Sequence, residues 1–145
     1  MKTILIACVL IAACSDSAGM LEPVPPGLRF SSSTITVSGT PVALAVNVTA
    51  HPRLDVGALL TTTNRTGWPS SASPTRIWVV HRGVAWTATV TRDTRPIPLP
   101  FGAIAVITPL GPSWPVGDSV DVVVQVRDGG RTQLVRAPST VIVAG

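Results

Sequence analysis

From Leu28 onward, short apolar and β-branched runs alternate with Gly, Pro, Ser and Asn punctuation. The clearest run is Val120-Asp121-Val122-Val123-Val124-Gln125-Val126-Arg127. Successive strand side chains point to opposite faces, so Val120, Val122, Val124 and Val126 face inward while Asp121, Gln125 and Arg127 face water. The same reading predicts strands near 34–37, 42–49, 55–63, 76–80, 84–92, 103–108, 119–127, 131–136 and 140–143. No stretch keeps helical periodicity free of proline and glycine for three turns, and there is no internal repeat. Short strands separated by regular turn signals predict an all-β sandwich or barrel.

Two hairpins are legible. Ile77-Trp78-Val79-Val80 faces Val84-Ala85-Trp86-Thr87 across His81-Arg82-Gly83. A three-residue loop would set Trp78 opposite Trp86; a two-residue turn at Arg82-Gly83 would shift the pairing and separate the rings. Either way both tryptophans are candidate core fillers. In the second hairpin, a three-residue turn at Asp128-Gly129-Gly130 would pair Val124 with Leu134.

This pattern resembles an immunoglobulin-like or fibronectin type III-like antiparallel sandwich of about seven to nine strands over residues 28–145. The resemblance is architectural. The chain departs from antibody domains in having no inter-sheet cysteine pair, and with no tyrosine at all it has no tyrosine corner.

The N-terminus has a different character. Lys2 is followed by the apolar run Ile4 to Ala13, the layout of a secretory signal peptide and too short to cross a bilayer, which takes about 20 apolar residues. Ile11-Ala12-Ala13-Cys14 then resembles the lipobox of bacterial lipoproteins: aliphatic, small, small, cysteine. The resemblance implies a diacylglyceryl thioether on Cys14, cleavage before it, acylation of the new amine, and a membrane as the first partner. Ser15 rather than Asp follows, which under the lipoprotein sorting rule of many double-membrane bacteria favours the outer membrane. Residues 1–13 are thus expected to be a leader, and 14–27, with Pro23, Pro25 and Pro26, a partly stiffened tether holding the 28–145 domain roughly 40 Å off the membrane.

Composition removes several classes of chemistry. Of two cysteines, Cys8 leaves with the leader and Cys14 carries lipid, so no disulfide or cysteine metal site is expected. Losing Lys2 lowers the net charge from +4 to +3, a mild excess that does not point to nucleic acid. His51 and His81 have no partner at metal-ligand spacing, and no cofactor motif is present. Gly117-Asp118-Ser119 lacks the second glycine of a nucleophile elbow and reads as a turn into a strand.

Loop parity sorts the remaining candidates. If successive strands run antiparallel, the loops at 64–75, 93–102 and 128–130 share one end, gathering Arg65, Arg92, Arg95, Arg127, Arg131 and Trp68. His51, Arg53, His81, Arg82 and Trp114 collect at the other. Asp93 and Asp128 lie among the arginines as pairing partners, and Trp68 and Trp114 can each cap an open end of the core. With the tether entering from the opposite end, the arginine-rich end is expected to face away from the membrane and meet acidic polymers or a partner protein; the partner expected of the module as a whole is a protein or glycan of the envelope. The function expected is a lipid-anchored, non-enzymatic binding or structural module acting through loops or an edge strand. The alternative is an inhibitor or accessory of an enzyme, presenting the rigid loop Arg95-Pro96-Ile97-Pro98-Leu99-Pro100; a hydrolase comes third.

Overall fold

Alternating Val, Thr and Ala give strands that cover one another on two faces. The computed structural model describes residues 19–145; the leader, Cys14 and the start of the expected tether lie outside the described residues. The strands are β1 (Met20–Pro23), β2 (Thr34–Val37), β3 (Thr40–Ala50), β4 (Leu54–Thr62), β5 (Ala72–His81) and β6 (Val84–Thr89). They continue as β7 (Thr91–Arg92), β8 (Ala103–Ile107), β9 (Ser119–Asp128), β10 (Arg131–Arg136), β11 (Thr140–Val141) and β12 (Val143–Ala144). A 3-10 turn, Pro26–Phe30, follows β1.

One sheet runs β1-β6-β5-β9-β10 with β11 on β9, and the other β12-β3-β4-β8-β7 with β2 on β3. The central orders, β3-β4-β8-β7 against β6-β5-β9-β10, are the A-B-E-D and C′-C-F-G orders of an immunoglobulin-like sandwich. The all-β sandwich expected from the pattern is therefore the fold. Leu44, Val48, Leu60, Ile77, Val79, Trp86, Ile104, Val122 and Val124 form its main core. A smaller cluster of Leu28, Trp78, Ala85 and Val123, with Val24, Val80 and Leu134 against it, lies under the N-terminal segment. Covering both faces of β9 explains why Val122, Val123 and Val124 are all fully buried, where strict alternation would expose the middle one.

Both hairpins close with two-residue turns. Arg82 (φ 49°) and Gly83 (φ 79°) both lie in the left-handed region, as a type I′ turn requires. His81 pairs with Val84 and Trp78 with Thr87. Of the two open arrangements, the one that separates the tryptophans is realised: Trp86 enters the main core and Trp78 the smaller cluster. In the second hairpin Asp128 pairs with Arg131, so the expected three-residue turn is corrected to Gly129-Gly130, with Gly129 at φ 60°. Val124 consequently faces Val135, not Leu134. Val135 is thereby buried in the main core and Leu134 packs on the outer cluster.

The expected tether is also corrected. Met20–Pro23 pairs with β6, and Leu28 in the following turn is buried. The physical reason is an exposed edge: without β1, β6 would end the sheet with unpaired backbone groups. Pro23 is tolerated at the end of an edge strand, and Pro26 at the first position of the turn, where no N–H is needed. β2 and β12 share the outer edge of β3, and Ser32 bridges Val135 on β10. No helix of the described residues is long and apolar enough to cross a membrane.

Candidate functional site

A cleft of about 530 Å³ lies where the N-terminal segment crosses the outer face of the first sheet. Its lining includes Phe30, Trp78, Gln125, Thr132, Gln133 and Leu134, and none of its lining residues is charged. The 3-10 turn forms one wall and β9 and β10 contribute the floor. Trp78 is held there by its indole N–H, which donates to Glu22 Oε1 at 3.2 Å. Gln125 Oε1 accepts from the Thr75 hydroxyl at 3.0 Å, and its amide N–H groups have no protein partner among the described residues. Phe30 stands exposed at the rim with the Arg29 guanidinium 5.0 Å above its ring. Hydroxyls, amides and aromatic rings without charge suit an uncharged, hydrogen-bonding ligand.

Arg136 fixes the wall. Its Nη2 donates to Leu28 O at 3.1 Å and its Nε to Ser31 Oγ at 2.9 Å. Ser31 in turn donates to Leu28 O at 2.7 Å. Arg136→Met keeps the stem but frees these acceptors. It is expected to destabilise the protein by about 1.5 kcal/mol and to raise hydrogen exchange in residues 28–32 more than elsewhere, measured by mass spectrometry.

The five arginines expected at one end are spread over both sheets. Arg127 and Arg131 flank the β9–β10 turn, Arg92 ends β7, and Arg65 and Arg95 lie in the loops after β4 and β7. Arg95 forks onto Asp93, Nε to Oδ1 at 2.9 Å. That hydrogen bond, with a second from the Arg95 backbone, lowers the Asp93 pKa to about 2. Asp128 binds the hydroxyls of Ser71 at 2.7 Å and Ser38 at 3.0 Å, and those bonds lower its pKa. Asp93 therefore pairs with an arginine as expected, whereas Asp128 closes a serine cluster. Trp68, expected on the binding surface, is half-buried against the main core and donates to Ala72 O at 2.9 Å. It caps that end of the sandwich.

The Asp93 pair has a titration signature. A carboxylate depressed in the folded state stabilises above its unfolded pKa, near 4, and that contribution fades as pH falls through the folded value. The Asp93 carboxyl carbon is thus expected to titrate near pH 2 in an NMR experiment. Arg95→Gln should return it to the ordinary carboxylate range.

At the opposite end, His81 Nε2 lies 2.7 Å from Asp118 Oδ2, and the Trp114 ring stacks on His81 at 4.6 Å. Arg82 Nη2 is 3.2 Å from the same carboxylate oxygen. Arg53 donates to the carbonyls of Gly111 and Leu110. His81, Arg82 and Trp114 are brought together around Asp118, which had read as a simple turn residue, while Arg53 is tied separately to the 110–111 carbonyls. Ser119, next in sequence, pairs in β9 with Val141 and makes no hydrogen bond to His81 among the described residues. His51 is exposed at the β3–β4 turn.

The described chain enters the sandwich from the side opposite to the one expected. Met20 lies opposite Thr87 and Pro23 opposite Val84, so β1 runs from the side of the arginine-rich end towards the Arg82-Gly83 turn. The uncharged cleft is what the sequence reading missed, because the start of its wall was read as tether; the clue was the pair Val24 and Leu28, apolar side chains on either side of Pro25-Pro26-Gly27 that needed cover. Neither a family model, nor a curated protein, nor a solved structure matches the chain.

Proposed function

We propose that the protein is a lipid-anchored binding module of a bacterial envelope, held by Cys14 and taking a neutral glycan segment in the cleft beneath the 3-10 turn. The observation that carries the ligand class is the cleft's uncharged lining of aromatic, amide and hydroxyl groups. It offers side-chain donors and acceptors, Gln125 and Thr132 among them, beside aromatic surface on which a sugar ring can stack. The anchor reading is supported by the Ile11-Ala12-Ala13-Cys14 pattern behind its apolar run.

Titrating the mature chain with soluble neutral oligosaccharides, against peptides as the comparison, tests the ligand. Chemical-shift changes confined to Trp78, Gln125 and Gln133, weakened roughly tenfold by Gln125→Leu, are expected, since one lost buried hydrogen bond is worth about that. No change with any sugar, or a response to peptides alone, would overturn it. The mass of the N-terminal peptide from membrane-extracted protein tests the anchor separately; an unmodified Cys14 would remove it.

A further inference from the structure

The anchor, if it stands as proposed, sits on a much shorter leash than proline content implies. Only residues 15–19 separate Cys14 from β1, and the six steps from Cys14 to Met20 reach at most about 20 Å. Met20 lies level with Thr87 and, through it, Trp78. Trp78 is six positions along β5 from Ala72, which marks the arginine-rich end, again about 20 Å. A leash leaving β1 along its own direction therefore ends about level with that end of the sandwich.

What this end presents suits a bilayer. Five arginines, Arg65, Arg92, Arg95, Arg127 and Arg131, stand against two acids, Asp93 and Asp128, and all five arginines are exposed. The opposite end sets Arg53 and Arg82 against Asp55, Asp118 and Asp121, so the charge is polarised along the strands. Between Arg92 and β8 runs the proline-rich loop, with Ile97 and Leu99 partly exposed and Phe101 76 % exposed. Apolar side chains flanked by arginines can enter the headgroup region while the guanidinium groups meet phosphates.

We infer that the arginine-rich end is a lipid-docking surface for anionic headgroups, seating the sandwich on the membrane and leaving the cleft on the first sheet open at the side. This rests on the anchor reading only for its geometry, and the surface can be tested without lipid on the chain.

The test is flotation of the full chain carrying Cys14→Ser, so that no thioether forms, with vesicles of phosphatidylethanolamine alone or with one third phosphatidylglycerol. Binding to the anionic vesicles, weakened by salt, is expected. Arg65→Gln, Arg92→Gln and Arg131→Gln should each reduce partitioning about fivefold, and Phe101→Ser should reduce it further, with Arg82→Gln at the far end leaving it unchanged. Equal partitioning of all variants, or none to either vesicle, would overturn the docking surface even with Cys14 lipidated. Anionic binding by a chain whose Cys14 proves unmodified in the native protein would keep the surface and remove the anchor.

Discussion

Trp86→Ala is expected to destabilise the fold by about 3–5 kcal/mol, read as a lowered urea midpoint with the slope unchanged. Trp86 is 3 % exposed and is the one indole fully inside the main core. Its ring also underlies two backbone segments. A side chain added at Gly111 would meet it at 3.6 Å, and one at Gly19 would collide with its Nε1. Gly111 is tied to β4 through its N–H to Leu54 O at 2.8 Å. Removing the indole therefore opens a cavity shared by both sheets, the entry to β1 and the 109–118 loop, and the backbone around it is too constrained to collapse. Trp78→Ala, in the smaller outer cluster beside the open cleft, should cost distinctly less, because its site can be reached by water. Equal losses for the two would show that the two clusters are not separate in energy.

Gly102→Ala is the second large effect, expected at about 3 kcal/mol. Gly102 has φ 80° and is buried, and a Cβ there would run into Thr62 Oγ1 and the carbonyl oxygen of Thr66. The two atoms it meets are already bonded to each other, Thr62 Oγ1 donating to Thr66 O at 2.5 Å. Thr62 N also donates to Gly102 O at 3.1 Å, so the loop cannot move without loosening β4. Gly39→Ala supplies the control. Its φ of 77° is nearly the same, with nothing within contact distance of the added carbon, so it should cost only about 1 kcal/mol. Thermal unfolding of the pair separates the collision from the backbone term; equal shifts would refute the collision.

The strand positions were legible because period-two alternation is a strong signal where one face meets a core and the other meets water. Each of the nine predicted strand regions overlaps a strand, but 84–92 is split into β6 and β7 and 140–143 into β11 and β12, the two parts of each passing to different sheets. What failed was decided by single backbone angles or by distant partners. Whether Arg82 adopts a positive φ cannot be read from an arginine, so the turn at residues 82–83 stayed open until the structure gave it. Gly129-Gly130 permits turns of two or three residues, and the choice moved Val135 into the core. β1 carries almost no local strand signal; it exists because β6 offers an edge. The cleft was invisible for the same reason, its wall being tied down by Arg136, more than a hundred residues away in sequence. Asp118 looked like a turn residue because its partner His81 lies on another hairpin.

β1 imposes an order of events. Met20–Pro23 is synthesised before the other strands of the described residues, yet its partner β6 follows roughly sixty residues later, a long loop to close. A chain emerging N-terminus first carries this segment extended and unmated until the β5–β6 hairpin has formed. A strand made early thus waits for its seam, and until β1 docks the newborn protein shows its neighbours a bare β6, the interval in which crowding would turn folding into aggregation.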